Sequence, residues 1–381
     1  MVDLHWLTTS GHATNRVAFF PDWADDSYLT GLAFALRSEG WSVDLVDRKG
    51  LAHALVGAIA GRNFVHLHWY EALPVRRIRS DGIRSWLLLP MLWLAGRRGR
   101  LIWTVHNVRP HEGYPPLMGV PFLKLLARSA SGILVHFDHT RELVAKKFGA
   151  RDKVFVTPPA SFGDSHGAAI PRAEARAKLF GSSADDSIIF VQIGNLRAYK
   201  DPATTIRAFR EVAPPSALLF VAGKCRSSEI RSQILEAAAE DPRVIVRFDF
   251  LSDADIVAAL CAADWSICPY RAIDNPGAVN LSVGYGCPII APAFPSVVEL
   301  TADHPAILYS TEGPRREHLS AAIAQAARME SVALSTSRLN DSTRREQARQ
   351  TAAHYLAALE RGKTKLRKLH PRKSQQRAHF A

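Results

Sequence analysis

The chain has 381 residues, with 48 Lys+Arg against 36 Asp+Glu (formal net charge +12) and 47% hydrophobic residues. At roughly 150 residues per domain it holds two or three domains, each able to bury a core, and it is too apolar to be mostly disordered. The four cysteines, Cys225, Cys261, Cys268 and Cys287, form no Cys-x-x-Cys pair, which argues against a disulfide framework or a zinc site and suits a reducing cytoplasm. The start MVDLHWLTTSGHATNR lacks the apolar stretch of a signal peptide. The longest apolar run, Trp86 to Ala95, is ten residues and contains Pro90. A span needs about 20. The expectation is a cytoplasmic, non-spanning protein.

In chain order, short β-branched runs alternate with longer helical patterns. Strands are expected at Val17–Phe20, Val43–Val46, Phe64–His68, Leu101–His106, Ile133–His136 and Val154–Val156. A Gly/Ser/Ala-rich stretch then reads as a linker with one short helix. A second series is expected at Ile188–Ile193, Leu218–Ala222, Val244–Phe248, Ser266–Cys268, Ile289–Ala291 and Ala306–Leu308. Such alternation means parallel sheets with right-handed crossovers, an α/β class with two doubly wound, Rossmann-like domains facing across a cleft. The expected boundaries are 1–162 for the N-terminal domain, 163–186 for the linker, 187–337 for the C-terminal domain, 338–360 for a long helix and 361–381 for a basic tail. Ligands in such sheets bind outside the carboxyl ends of the strands.

Three strings fall at those ends. In QIGNLRAYKDP, Arg197 and Lys200 sit between a buried strand and a helix opened by Pro202, where two cations suit a diphosphate. In CPYRAIDNPGAVNLSVGYGCPIIAP, Asn275, Pro276 and Gly277 precede a helix whose free N–H groups would face an anion, with Asp274 or Asn275 as its cap. In LIWTVHNVRPHEGYPP, a buried strand delivers His106 and Asn107, and the loop carries Arg109, His111 and Glu112, which suit acid–base work or hydroxyl orientation.

His66 and His68 point to one face of a strand and read as structural or substrate-lining, since no third metal ligand is identifiable. Asp253-Ala254-Asp255 has the form of a DxD metal motif but reads better as a capped helix start. Walker A and G-x-S-x-G strings are absent, which disfavours an ATPase or an α/β-hydrolase. The last 21 residues, from Arg361, carry eight Lys/Arg and no acid. Arg76, Arg77, Arg79, Arg84, Arg97, Arg98 and Arg100 bracket the apolar run. Together they suit an anionic membrane surface, against the alternatives of a solvated tail and a buried helix with ordinary flanking arginines. No zinc finger or aromatic-interleaved basic motif points to nucleic acid.

Taken together, these strings resemble the GT-B glycosyltransferases, and within them the bacterial exopolysaccharide enzymes of the xanthan β-mannosyltransferase type. FPDWADDSYLTGLAFAL, VHLHW, WTVHNVRPHE, GNLRAYKDP and NPGAVNLSVGYGCPIIAP fall in the family's order. The resemblance implies transfer of a sugar, mannose from GDP-mannose or else a sugar from a UDP-sugar, to a polyprenyl-diphosphate-linked glycan. It implies an inverting displacement on the inner face of the cell membrane, with no metal and no cofactor beyond the donor. It assigns the donor diphosphate to Arg197, Lys200, Asn275 and Gly277, the catalytic base to Glu112, His111 or His106, and the acceptor side to His68, Asn107 and Arg109.

The chain also departs from related patterns. Ile273 and Leu281 stand where many retaining enzymes carry two glutamates. Asp201 replaces a glycine, and Pro158-Pro159-Ala160 replaces Pro-His-Gly. Two rivals are an idle nucleotide-sugar-binding scaffold and a nucleotide-sugar epimerase of the same fold.

Overall fold

The computed structural model describes residues 15–24, 26–73, 82–108, 119–157, 166–181 and 186–329, together with 353, 355–357, 359 and 360. They form two compact units that divide between Ala160 and Ser161, the C-terminal residues from Ala348 returning to the first. No helix among the described residues is long and apolar enough to cross a membrane.

The first unit carries β1 (Arg16–Phe20), α1 (Ser27–Ser38), β2 (Ser42–Leu45), α2 (Arg48–Ile59), β3 (Phe64–Leu67), α3 (Gly82–Arg97), β4 (Leu101–Thr104), α4 (Val120–Ser129), β5 (Gly132–Val135), α5 (Asp138–Phe148) and β6 (Val154–Val156). Every pairing is parallel, in the order β2-β1-β3-β4-β5-β6. Helices cover both faces, so β3, β4 and β5 are buried at every position and read as largely apolar runs, His66 and Thr104 apart, instead of alternating ones. One face packs Leu51, Leu55, Leu92, Trp103 and Leu126. The other packs Phe19, Leu29, Leu36 and Phe64 with Tyr355 and Leu359 from the C-terminal helical residues. Of the expected 338–360 helix, residues 353, 355–357, 359 and 360 are described, and among them Tyr355 and Leu359 belong to the first unit's core.

The second unit carries α6 (Arg172–Phe180), β7 (Ile188–Ile193), α7 (Pro202–Val212), β8 (Ala217–Ala222), α8 (Ser228–Ala238), β9 (Val244–Arg247), α9 (Asp253–Ala262), β10 (Trp265–Ile267), α10 (Gly277–Gly284), β11 (Ile289–Pro292), α11 (Pro295–Leu300), β12 (Ala306–Tyr309) and α12 (Arg315–Arg328). Its parallel sheet runs β12-β11-β10-β7-β8-β9. The stretch expected as a linker contributes α6, whose Arg176 is buried and donates to Asp264 at 2.8 Å, while Asp264 also accepts from the Ile189 amide at 2.8 Å. That carboxylate ties α6 to the start of β7, so the segment packs as part of the second unit.

All twelve expected strands are present, with ends shifted by one or two residues. The largest shift is at β4, which stops at Thr104, short of the expected His106. Each sheet has a point where the strand order reverses: between β1 and β3 in the first, and between β7 and β10 in the second. A crevice opens where crossovers leave in opposite directions, and ligands bind there.

Candidate active site

In the second unit the reversal brings together the segments that leave β7 and β10. Beyond β7 the chain runs through Gly194 and Leu196 to a single tight turn, Ala198–Lys200, and then into α7. Gly194 has φ +99° and Gly223, beyond β8, has φ +143°. A Cβ on Gly223 would stand 2.2 Å from the Gly194 carbonyl oxygen, so only glycine lets these two strand exits touch. Arg197 is exposed and Lys200 half-buried. Burial, with Arg197 beside it, lowers the Lys200 ammonium pKa, partly opposed by the Cys268 thiol. A desolvated cation is stabilised by a neighbouring anion.

Beyond β10, Cys268 and Tyr270 are buried, and Tyr270 stacks on Tyr199 with ring centroids 6.1 Å apart. The Arg271 amide donates to the Tyr199 carbonyl at 2.8 Å, which joins the two loops directly. Asn275 is half-buried and Gly277 exposed. The cap of α10 is Pro276, with no side-chain cap bond, so the expected capping by Asp274 or Asn275 is not what forms. The Pro276 carbonyl accepts from the Asn280 amide at 3.0 Å, but its ring has no polar atom, so the cap residue offers the first amides of α10 no side-chain partner.

Pro202 is the first residue of α7, as expected. The residue before it, Asp201, is a feature that sequence reasoning noted only as a departure. It is 6% exposed, has left-handed backbone (φ 46°, ψ 49°), and accepts from Arg271 at 2.9 Å and Thr204 at 2.8 Å. At α9 the cap is Ser252, accepting from the Asp255 amide at 3.2 Å. Asp255 then pairs with Arg247 and Asp253 with His166. Both carboxylates of the DxD string stand in the first turn of α9 and are paired with side chains outside it. Among the described residues no three of His, Cys, Asp or Glu are grouped to hold a metal ion.

The first unit's reversal point is uncharged by contrast. His66, His68, His106 and His136 are all buried, at 0%, 1%, 6% and 3% exposure. His66 Nε2 lies 2.7 Å from Thr104 Oγ1 and His136 Nε2 3.4 Å from His106 Nδ1, while His136 Nδ1 contacts the Thr157 carbonyl at 3.1 Å. Tyr28 sets its ring edge-on to His68, His106 and His136. Trp69 stacks flat on His106 at 4.1 Å, and Trp23 lies 4.8 Å beyond Trp69. Burial first, and then neighbouring imidazoles, hold His66, His68 and His106 well below the ordinary histidine range; burial takes His136 to about 4. The cluster is neutral at pH 7. The two nitrogens of His68, His106 Nε2 and Asn107 Oδ1 are buried without a hydrogen-bond partner.

The structure thus gathers His68, His106 and Asn107 on the first unit, and Arg197, Lys200, Asn275 and Gly277 around the second unit's reversal point. Arg109, His111, Glu112, Pro158–Ala160 and the basic tail lie outside the described residues, as do Arg76, Arg77, Arg79 and the side chain of Arg84. Sequence reasoning missed Tyr28, His136 and Tyr355. His136 alone carried a visible signal, an imidazole following a buried strand as His106 does. Sequence reasoning had Arg97 and Arg98 in the expected membrane-facing surface but missed the part that α4 contributes. Gly96 of α3 sits so close to α4 that a Cβ there would lie 2.3 Å from the Ser129 carbonyl oxygen. The two helices present Trp93, Leu94 and Leu125 outward, with Arg97, Arg98, Lys124 and Arg128 exposed beside them.

Two six-stranded parallel sheets with flanking helices, each with its own reversal point, are the GT-B glycosyltransferase fold. Over 94% of its length the chain is similar to Anabaena HepE, solved with UDP and glucose (TM-score 0.59, 13% identity, 98% of that chain). It is also similar to WaaG, a glycosyltransferase involved in lipopolysaccharide biosynthesis (TM-score 0.55, 15% identity, 90% of this chain and 98% of that one). No family model matches the chain. By sequence it is 22% identical over 237 residues to the GDP-mannose:glycolipid 4-beta-D-mannosyltransferase of Xanthomonas campestris pv. campestris. That match spans 60% of this chain and 60% of the relative.

Proposed function

We propose that this chain is a glycosyltransferase that moves a sugar from a nucleotide-sugar to a lipid-linked glycan. The observation that carries the reading is the cationic reversal point of the second sheet, where the loop of Arg197 and Lys200 is joined, through the Arg271 amide and the Tyr199 carbonyl, to the loop that leads into α10. In this reading the bond from the anomeric carbon to the diphosphate breaks, and the nucleoside diphosphate leaves with the electron pair. The acceptor oxygen forms the new bond from the opposite face, with inversion, and its proton passes to a base. The two cations and the helix dipole stabilise the charge that develops on the leaving group.

The base belongs to the first unit, with Glu112, His111 and His106 as candidates; a neutral imidazole is the state able to accept a proton. The acceptor side is assigned to His68 and Asn107, with Arg109 proposed to join them. GDP-mannose is the donor favoured by the mannosyltransferase relatives, and the UDP held by HepE favours a UDP-sugar as the alternative. Such an acceptor would lie at the inner face of a membrane. The α3–α4 surface suits that placement, since each basic side chain near an anionic leaflet contributes about 1 kcal/mol and the exposed Trp93 and leucines add apolar contact.

Calorimetric titration with GDP, UDP and ADP tests the donor site. Micromolar binding of GDP or UDP, with ADP silent, is expected; binding of none of the three would overturn the reading.

A further inference from the structure

We infer that Asp201 is a positioning residue for the diphosphate site, its carboxylate pinning the loop that carries Arg197 and Lys200 to the exit of β10 and the start of α12. This rests on the donor-site reading above and names a residue which that reading does not use.

Three observations carry the inference. Asp201 holds a left-handed backbone (φ 46°, ψ 49°), a region uncommon for residues other than glycine, which aspartate and asparagine enter more readily than most. Such a backbone persists where surrounding structure holds it in place. Second, Asp201 is the cap of α7 by position, yet its side chain makes no cap bond to the helix amides. An aspartate retained for capping would accept from those amides. This one instead accepts from Arg271 Nη2 at 2.9 Å and Thr204 Oγ1 at 2.8 Å, with Arg315 Nη2 at 3.7 Å.

Third, the partners come from the segments that frame the site. Arg271 lies between β10 and α10. Arg315 opens α12 and donates the same Nη2 to the Pro269 and Tyr270 carbonyls, both at 3.1 Å. One buried carboxylate therefore joins the loop after β7, the loop after β10 and the first turn of α12. A carboxylate next to an anion site repels the ligand at long range, so its benefit must come from geometry. It holds two guanidiniums apart from Arg197 and Lys200, and it sets the gap between the two phosphate-facing loops before the ligand arrives. Preorganisation of this kind shows as affinity.

The test is calorimetry on the full chain with GDP and UDP, and with guanosine and uridine as probes lacking phosphate. The variants are Asp201→Asn, Asp201→Gly, Arg271→Ala and Arg271→Lys. Asparagine and glycine both tolerate the left-handed backbone, so these variants remove the charge without adding strain. Arg271 is 58% exposed in its side chain and can be truncated without opening the core. The expected result is a loss of about tenfold in diphosphate affinity for Asp201→Asn, Asp201→Gly and Arg271→Ala. Nucleoside affinity should not change, and Arg271→Lys should recover most of the loss.

Wild-type diphosphate affinity in all three charge-removing variants would overturn the inference while leaving the donor site standing. An equal loss for nucleoside and diphosphate would also overturn it, since that marks a general structural role. Failure of the wild type to bind either diphosphate would overturn the donor-site reading, and the inference with it.

Discussion

The two units solve the same topological problem with opposite chemistry. In each sheet the strand order reverses beside the first strand, and residues leaving that strand meet residues leaving a neighbour. In the second unit the meeting point is cationic and open, with Arg197 exposed and Arg271 exposed over most of its side chain. In the first it is neutral and closed, with four imidazoles and Tyr28 packed out of water. A binding crevice can therefore be prepared by charge or by packing, and the two fail differently. The charged site should lose ligand affinity before stability, and the packed site stability before anything else.

The largest expected effect breaks the packed side. Tyr355 is fully buried against Phe19 and His66, and it ties the C-terminal helical residues to the first sheet. Its replacement by alanine should cost about 3–5 kcal/mol, as for other large buried rings. Denaturant unfolding measures this, and a cost below about 1 kcal/mol would mean that the helix is not part of that core. On the charged side, Arg197→Ala with Lys200→Ala should lower GDP or UDP affinity at least about 100-fold with little change in melting temperature. Undiminished affinity would remove the diphosphate assignment.

Acid sharpens the contrast. The four buried histidines bind protons less readily when folded than when unfolded, so their contribution to stability is complete above the ordinary histidine pKa of about 6.5. It is lost as pH falls below that value, through about 4 for His136. Unfolding followed by segment-resolved hydrogen exchange should show the first unit weakening over this window, and His136→Gln should flatten the dependence. A first unit equally stable at both ends of the window would contradict the burial argument.

The smallest effect concerns the α3–α4 surface. Arg97→Gln with Arg98→Gln should weaken binding to anionic vesicles by about fivefold per charge at low salt, and high salt should mimic the change. Unchanged co-sedimentation would leave that face without a membrane role.

The fold was legible in the sequence because parallel strands buried on both faces are dense apolar runs, and such runs resist misreading. The cationic loop after β7 was legible for a similar reason: Arg197, Lys200 and Pro202 lie within six residues, between a strand and a helix. Asp201 was visible only as a departure from glycine, because its partners, Arg271 and Arg315, lie 70 and 114 positions away. The cap of α10 was misjudged because Asp274 and Asn275 are better cap residues than Pro276 by type. The loop's path from Tyr270 decided otherwise.

What the sequence determined alone was local and periodic: twelve strands, the helices between them, and the cations beside one strand end. Only the tertiary structure decided which strand ends meet, since sheet order depends on crossovers and not on any one strand's composition. It alone could bring His66, His106 and His136 from three strands into one cluster and depress their proton affinity, because burial is a property of neighbours. It also decided that a single carboxylate at Asp201 should face two distant arginines and the Thr204 hydroxyl instead of the amides of the helix that it begins.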